Sequence, residues 1–373
     1  MGATHSTSSG ALRVRSARTH TPDAYAAIRE LAEVLEASGA SAVMLFCSPR
    51  YDMADLGAAI ERDFSAPTIA ATTAGQFGPD GYDGRGITAV ALWSDDLTMA
   101  PLFLPSLAAA PLELSLPKRT RRKAFGILLT DGLSCAEELV AASVYQALGD
   151  VALVGGSAAD DGAFRATGVY YAGRFHRDAA VLALFETNEL SFALLRAQYF
   201  RPGGRRVVTT LADANRRIIY ELNGEPAADT YAEALGISPA ALTVDVCAQQ
   251  PLLLSVGERS HVRSVKAVNA DGSLMLHCAI EEGLVLGIGE PEEPLSALQR
   301  AFDALPAPLG EAPLVVAFDT FLDFRRFAAH GQAARIASFL AARNVRGFSG
   351  YGSVLGPVHV NQALTGVAIG GAQ

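Results

Sequence analysis

The 373-residue sequence lacks any apolar run of the roughly 20 residues that a helix needs to cross a bilayer. Residues 1–10 are rich in Ser and Thr and contain no apolar signal core. The cysteines Cys47, Cys135, Cys247 and Cys278 are scattered without CxxC spacing, which disfavours both a disulfide framework and a zinc site. These absences predict a cytoplasmic protein with no membrane insertion.

Basic charge is also scarce. Lysine and arginine number 30 against 39 acidic residues, and this gives a formal net charge of −9. Such a balance argues against a surface that tracks nucleic-acid phosphates. The basic cluster at residues 118–123 is best interpreted as a solvated connector before an apolar strand. Half of the residues are hydrophobic, and the length is sufficient for two domains that each bury a core.

Catalytic motifs are absent as well. The sequence contains no Walker phosphate-binding loop, no dinucleotide fingerprint and no G-x-S-x-G nucleophile elbow. Ser134 and Cys135 follow a predicted strand, but no motif pairs them with a histidine or an acid. Asp160 and Asp161 follow a glycine turn, where capping of the loop is favoured over binding of a cation or an amine. We therefore predict that the protein is not an enzyme.

What the sequence does contain is a strand–helix–strand–strand pattern that recurs three times. The copies are residues 43–47, 53–64, 68–72 and 87–92; residues 125–129, 135–148, 151–155 and 180–185; and residues 314–318, 332–343, 345–348 and 366–369. Each strand–helix–strand step implies a parallel pair, and the third strand is predicted to pair antiparallel. The predicted fold class is α/β, with two domains whose mixed β-sheets are built from recurring β-α-β-β units. We place the boundary between Val208 and Asn223, giving domains at 11–215 and 216–373.

A turn of small residues follows the second strand of each copy, at residues 72–75, 155–158 and 350–353. Ligands in open α/β sheets favour the carboxyl ends of strands, so these turns are candidate pocket walls. Their glycines equally suit tight packing between strand and loop, and both interpretations stay open.

The segment SGYGSVLGPVHVNQALTGVAI, at residues 349–369, places His359, Asn361 and Gln362 between a glycine-rich turn and an apolar strand. A buried imidazole framed by Val358 and Val360 needs a partner, because an unsatisfied buried polar group costs about 1–3 kcal/mol. A backbone carbonyl, a metal or an iron-bearing cofactor would each serve.

This segment resembles the C-terminal signature of the FIST domain family (F-box and intracellular signal transduction). Further segments resemble the family in its own order: TTAG at 72–75 with Gly81, LVGGSAADD at 153–161 with Phe164, LLLSVGE at 252–258 with VRS at 262–264, and DGSLMLHCAIEEGLVL at 271–286. The resemblance covers nearly the whole chain and implies a FIST N-like and a FIST C-like domain.

The resemblance implies a bacterial intracellular sensory protein. One branch of the family comprises nitric-oxide sensors that carry haem b and regulate a histidine kinase or a cyclic-di-GMP enzyme, and this is the expected role. A haem-free sensor of a small metabolite such as an amino acid is the alternative, and an uncharacterised enzyme is third. The sequence contains no kinase or diguanylate cyclase segment, so we expect a partner protein to receive the output. A homodimer is compatible with this arrangement.

If haem binds, the resemblance implies His359 as the metal ligand, with His277 and His261 next in line. Asn361 and Gln362 would orient the ring or the neighbouring loop. Tyr351, in the same motif, is a further expected cofactor-binding residue.

Arg325 and Arg326 follow Asp319 and are candidates to clamp the carboxylate of an amino acid or a haem propionate. A solvent-facing ion pair is the more ordinary interpretation. Two positions depart from the family pattern. Thr320 stands where cysteine is usual, which weakens any thiol-based role, and Ala363 stands where threonine is more frequent.

Overall fold

The computed structural model describes residues 12–107, 109, 112, 114, 118–257, 259–307 and 309–372. The Ser/Thr-rich segment at residues 1–10 and the outer ends of the two predicted domains, residues 11 and 373, lie outside the described residues. In the part described, eight α-helices combine with three mixed six-stranded sheets and one eight-stranded antiparallel sheet. The predicted α/β class with mixed sheets is confirmed.

The first repeat runs from residue 13 to residue 93. Its elements are β1 (Arg13–Thr19), α1 (Ala24–Leu35), β2 (Ala42–Cys47), α2 (Met53–Asp63), β3 (Thr68–Thr72), β4 (Gly75–Gly78), β5 (Gly81–Asp83) and β6 (Ile87–Trp93). The second repeat consists of β7 (Thr98–Pro105), β8 (Lys123–Thr130), α3 (Glu137–Leu148), β9 (Ala152–Ser157), β10 (Val169–Tyr171), β11 (Arg174–His176) and β12 (Ala179–Thr187).

The third repeat begins with β13 (Leu190–Gln198) and is then interrupted by an inserted sheet. The insertion consists of β14 (Phe200–Asp213), β15 (Ile218–Leu222), β16 (Glu225–Pro226), α4 (Ala227–Leu235), α5 (Val244–Gln249), β17 (Leu252–Val256), β18 (Arg259–Arg263), β19 (Val265–Val268), β20 (Leu274–Leu276) and β21 (Val285–Pro291). The repeat resumes with α6 (Pro294–Asp303), β22 (Leu314–Thr320), α7 (Phe321–Ala329), α8 (Ala333–Ala342), β23 (Val345–Gly350), β24 (Gly352–Leu355), β25 (Val358–Val360) and β26 (Ala363–Ala372).

All three predicted copies are confirmed. In each repeat the first two strands of the unit are parallel (β2 with β3, β8 with β9, β22 with β23). The third strand of each unit pairs antiparallel with the first (β6, β12 and β26). The third copy contains one helix more than predicted, since α7 precedes the predicted helix α8.

The repeats exchange hairpins in a cycle. The strand orders are β1-β6-β2-β3-β10-β11 for sheet 1, β25-β24-β9-β8-β12-β7 for sheet 2 and β13-β26-β22-β23-β4-β5 for sheet 3. Thus the hairpin of the second repeat completes sheet 1, that of the third completes sheet 2, and that of the first completes sheet 3. Because every repeat supplies strands to a neighbouring sheet, no repeat is complete without the other two.

One face of each sheet contributes to a shared apolar core. Phe46, Phe318 and Phe348 meet there, with ring centroids 5.5 Å apart for Phe46–Phe348 and 5.2 Å for Phe318–Phe348. A Cβ atom on Gly156 would lie 2.7 Å from Phe318 and 2.8 Å from Phe348, so at this turn glycine serves packing. Burial of each phenylalanine contributes about 1.5–3 kcal/mol.

Helices cover the other face of each sheet. Helices α1 and α2 cover sheet 1, α3 covers sheet 2, and α6, α7 and α8 cover sheet 3. In α1 the apolar stripe Ala24, Ile28, Leu31 and Leu35 is buried, and Asp23 caps the helix by accepting a hydrogen bond from the backbone N–H of Ala26 at 2.7 Å. The inserted sheet has a separate core against α4 and α5.

Candidate functional site

The carboxyl ends of the central parallel strands from all three sheets meet at one junction. A cycle of three backbone hydrogen bonds closes it. The donors are the N–H groups of Ala74, Ala159 and Tyr351, and the acceptors are the carbonyls of Ser349, Thr72 and Ser157, at 2.9, 2.9 and 3.1 Å respectively. Thr72, Ser157 and Ser349 therefore occupy equivalent positions in the three repeats.

Four rings from four separate segments of the chain meet beside this junction. We call Phe164, His277, Phe321 and Tyr351 the aromatic quartet. Phe164 stacks on Tyr351 with centroids 4.5 Å apart, and the other pairs in the quartet are 5.4–6.4 Å apart. Phe164 is half-buried and the other three residues are buried. The quartet joins the loop after β9, the inserted sheet, the start of α7 and the end of β23.

Asp160 holds the loop that carries Phe164. Its carboxylate accepts hydrogen bonds from the backbone N–H groups of Phe164, Arg165 and Ala166 at 2.6–2.9 Å, and from the Tyr351 hydroxyl. The predicted capping role of Asp160 is thus confirmed. Phe164 itself has φ of 52°, an uncommon conformation for a bulky residue, so surrounding contacts hold the loop in place.

The quartet combines a neutral imidazole with a cation over a ring face. Burial, together with the charges of Lys266, His359 and Arg217, lowers the pKa of His277 to about 3. His277 is therefore uncharged at neutral pH. The Lys266 ammonium lies 4.6 Å from the centroid of the Phe164 ring, within the range of cation–π attraction.

A buried ionic cluster ties the inserted sheet to α3 next to the quartet. The Arg217 guanidinium donates to Glu137 at 2.7 Å, to Glu138 at 2.6 Å and to the carbonyl of His277 at 2.9 Å. Glu138 also accepts from the backbone N–H of Ala279 at 2.7 Å. Burial opposes ionisation of Glu138, but the charges of His359 and Arg217 hold its pKa below the ordinary value.

His359 is buried on the face of sheet 2 that α3 covers. Its Nε2 atom lies 3.4 Å from Nδ2 of Asn361, and its Nδ1 atom forms no hydrogen bond with the described residues. The ring edge packs against Gly352: a Cβ atom there would lie 2.1 Å from Cε1 and 2.4 Å from Nε2.

This arrangement recurs in the other repeats. The residue seven positions after the equivalent glycine leans over that glycine in each case. A Cβ atom on Gly75 would lie 2.0 Å from the hydroxyl of Tyr82, and one on Gly168 would lie 3.3 Å from Cβ of Phe175. His359 is thus the third repeat's counterpart of two aromatic packing residues, Tyr82 of the first repeat and Phe175 of the second.

The surroundings of His359 do not fit a haem in this conformation. Gly352 and Asn361 close off the Nε2 side, and a macrocycle there would have to displace the β24 backbone. The remaining nitrogen, Nδ1, is buried. Haem ligation by His359 stays a prediction that this geometry does not support.

The structure does not bring the other predicted site residues together. Gln362, with φ of 46°, accepts from the Ser264 hydroxyl at 2.9 Å and donates to the carbonyl of Ala248 at 2.9 Å. It therefore anchors the turn before β26 to the inserted sheet. Tyr351 joins the quartet. His261, the other alternative ligand, is buried on β18.

The two candidate arginines have different environments. Arg325 is 64% exposed and lies 3.7 Å from Asp245, as in the ordinary interpretation of an ion pair at the surface. Arg326 is buried 3.5 Å from Asp323 and packs over the rings of Tyr199 and Phe200. A clamp formed by both guanidinium groups on one carboxylate stays a prediction.

Sequence reasoning missed several residues of this region. Arg217 lies in the stretch interpreted as a domain boundary, and Glu137 and Glu138 are ordinary acids in the first turn of a helix. Phe321 carries no local signal. Phe164 is the exception, since it belongs to a motif quoted above for the family resemblance.

Comparison with known families decides the identity of the chain. Residues 41–225 match the profile of the FIST N domain, and residues 227–354 match that of the FIST C domain. The chain belongs to the FIST family. No match was found among curated proteins.

FIST domains are sensory domains of signal transduction proteins. The matched FIST N segment contains two whole units of the repeat and β13, and the FIST C match ends at β24, before His359. Since β13 pairs with β26 and β4 with β23, sheet 3 of this FIST protein draws strands from both parts of the chain. The predicted boundary at residue 216 stays a prediction. Among the helices of the described residues, none is long and apolar enough to span a membrane.

Proposed function

We propose that this FIST protein is a sensory protein that binds a small metabolite at the aromatic quartet and passes the signal to a partner protein. The observation that carries the proposal is the meeting of four rings from four chain segments at the carboxyl ends of the parallel strands. Ligands favour this position in α/β proteins, and a ligand there would contact both the repeats and the inserted sheet.

The chemistry of the quartet favours a ligand with an ammonium group, such as an amino acid. A ring face attracts cations, and Lys266 already lies over Phe164. The carboxylate of Asp160 lies beside the same ring and adds negative charge. A ligand ammonium would replace Lys266 at this ring, and displacement of the lysine would loosen the contact between Phe164 and the inserted sheet.

Calorimetric titration of the full chain with a panel of amino acids tests the proposal. We expect saturable binding of at least one of them, weakened about tenfold in Phe164→Leu, because loss of a partly desolvated cation–π contact costs about 1–2 kcal/mol. Phe103→Leu is the matched control, since Phe103 is also half-buried and stacks on Tyr171 at 4.9 Å on the edge strand β7. Equal affinity in the two variants, or no binding by the wild type, would contradict the proposal.

A haem-dependent response to nitric oxide is the second candidate. The observation in its favour is that Nδ1 of His359 finds no hydrogen-bond partner among the described residues, and the closed surroundings of the ring in this conformation count against it. Haem b would supply an iron that binds the gas. The visible absorption spectrum of the haem-loaded chain is the test. Loss of the Soret band in His359→Ala would support this candidate, and an unchanged spectrum would move the ligand to His277 or His261.

Both candidates assign the output to a histidine kinase or a cyclic-di-GMP enzyme. We expect the affinity of the chain for such a partner to change when ligand binds. The affinity of the chain for each candidate partner, measured with and without the ligand found by calorimetry, tests this step. An affinity that ligand leaves unaltered for every candidate would contradict it.

A further inference from the structure

The hydroxyl of Ser157 differs from its counterpart in the first repeat. The equivalent residue Thr72 accepts a hydrogen bond from the backbone N–H of Gly168 at 3.1 Å. Ser157 is fully buried, yet its Oγ atom forms no hydrogen bond with the described residues. Buried hydroxyls are normally paired, because leaving one unpaired costs about 1–3 kcal/mol. The hydroxyl at this position thus has a hydrogen-bond partner within the protein in the first repeat, whereas in the second repeat it has none among the described residues.

Ser157 has neighbours of the same kind on the same face of sheet 2. Thr130 lies beside it in register on β8, and its buried Oγ1 atom likewise has no partner in the part of the chain that the structure describes. Gly352 lies beside it in register on β24, covered by the ring of His359 with its unpartnered Nδ1 atom. Side chains of residues paired in register project from the same face of a sheet. Three buried polar side chains on this face thus each have one atom that finds no hydrogen-bond partner among the described residues.

This face lies beneath the N-terminus of α3. Two residues before Thr130, Leu128 packs on this face against Val140 and Val144 of α3. The 12-residue helix has no side-chain cap at Ala136, and its first turn carries Glu137 and Glu138. The strand β25, which carries His359, packs against α3.

The unpartnered groups on this face of the sheet can donate hydrogen bonds. Asn361 Nδ2 lies 3.4 Å from Nε2 of His359 and can donate to it, which leaves Nδ1 to donate to a ligand. The hydroxyls of Ser157 and Thr130 can both donate. Glu137 and Glu138 are nearby negative groups that the Arg217 guanidinium binds. The carboxylate of Asp131, next to Thr130, accepts hydrogen bonds from the Thr167 hydroxyl and the backbone N–H of Asp178.

We propose that Thr130, Ser157 and His359 Nδ1, beneath the N-terminus of α3, form a site for the carboxylate group of a small organic acid. The hydroxyls and the imidazole N–H would donate to the two carboxylate oxygens, and the helix end would stabilise the charge. This site is separate from the aromatic quartet and does not rest on the function proposed above.

The test measures thermal unfolding of the full chain in increasing concentrations of sodium formate and sodium acetate, against sodium chloride at the same ionic strength. We expect a saturable rise in Tm for at least one carboxylate beyond that in chloride, since a ligand that binds the folded state stabilises it. The rise should be lost in Ser157→Ala, with an apparent Kd at least tenfold weaker. Because that variant removes an unpartnered hydroxyl, the ligand-free protein should fold as well as the wild type.

Thr72→Val is the matched control. It removes the equivalent hydroxyl of the first repeat and leaves the Gly168 N–H unpaired, so it should lower Tm without ligand but keep the carboxylate response. Nitrogen NMR of the His359 ring gives a second measurement. We expect the chemical shift of Nδ1 to change when formate is added. Three results would overturn the proposal: equal effects of carboxylate and chloride, a full response in Ser157→Ala, or an unshifted His359 resonance.

Discussion

The imidazole of His359 packs so closely on Gly352 that a Cβ atom at residue 352 would lie 2.1 Å from Cε1 of the ring. The same spacing of seven residues joins Gly75 to Tyr82 in the first repeat. A ring packed on a glycine seven residues earlier is thus a recurring feature of the repeat. The third repeat uses an imidazole for it, which adds two nitrogens to a position where a phenol or phenyl ring suffices in the other two repeats.

Gly352→Ala should destabilise the protein, because the added methyl group and the His359 ring compete for one volume. Overpacking of this kind costs about 1–3 kcal/mol. In a His359→Ala background the same change should cost much less, since the competing ring is gone. Chemical denaturation of the four proteins in this double-mutant cycle measures the coupling.

Gly204→Ala is the control for the glycine substitution. Gly204 also lies in a strand, but no atom lies within 4 Å of a Cβ atom built there. We expect little loss of stability in this variant. Additive effects of Gly352→Ala and His359→Ala would show that the ring and the glycine do not share one space.

The sequence was sufficient to predict the repeats because their signals are local. Apolar runs such as β2 and the stripe of α1 specify element type within a few residues. The exchange of hairpins has no such signal. Strands such as β4 and β24 contain only four residues each, and their partners belong to another repeat distant in sequence.

The site was predicted only in part for the same reason. The apolar frame of His359 indicated a buried imidazole, and His359 is buried. The sequence leaves open whether the glycine-rich turn at residues 350–353 forms a pocket wall or serves packing, and in the structure Gly352 makes room for the ring of His359. Arg217 and Phe321 reach the junction through tertiary packing, which periodicity and spacing do not encode.

Arg217→Met should cost about 3–5 kcal/mol of unfolding free energy, because it leaves two carboxylates without their cation in a buried setting. Side-chain exposure of Arg217 is 8%, and it binds both Glu137 and Glu138. Arg325→Met is the matched control. Its ion pair with Asp245 is exposed, and such pairs contribute about 0–1 kcal/mol. Similar losses in the two variants, measured by urea denaturation, would contradict a buried role for Arg217.

Tyr351→Phe should raise the pKa of Asp160. Burial opposes ionisation of Asp160, but hydrogen bonds from the Tyr351 hydroxyl and from three backbone N–H groups lower its pKa below the ordinary value. A depressed carboxyl pKa contributes stability that is complete above the unfolded value of about 3.9 and is lost as the pH falls through the folded pKa. The variant should therefore be less stable at pH 7 and should lose less stability on acidification.

Carbon NMR of the Asp160 carboxyl group and urea denaturation between pH 2 and pH 7 measure the two effects. Tyr145→Phe is the control, since Tyr145 is exposed and its hydroxyl forms no hydrogen bond with the described residues. An Asp160 titration that is the same in wild type and Tyr351→Phe would contradict the hydrogen bond.

Asp319→Asn should change how the stability of the protein depends on pH as the pH rises, in contrast to the effect of Tyr351→Phe on acidification. Burial, and then the charge of Asp323 and a hydrogen bond to it, raise the pKa of Asp319 well above the ordinary value. A raised carboxyl pKa contributes stability that is complete below the unfolded value of about 3.9 and is lost as the pH rises through the folded pKa. Asparagine keeps the shape of the protonated acid and cannot ionise.

The stability of Asp319→Asn relative to wild type should therefore increase as the pH rises. A fixed loss will accompany it at every pH, because the hydrogen bond from Tyr199 to Oδ2, 3.4 Å long, is replaced by a contact with an amide nitrogen. Denaturation from pH 4 to pH 9 separates the two effects, because the gain from removing the ionisable carboxyl group varies with pH and the loss of the hydrogen bond does not. Asp245→Asn, at an exposed position, should leave the pH dependence unaltered. If the difference between Asp319→Asn and wild type stayed constant across this range, Asp319 would not be the proton-binding group of the pair.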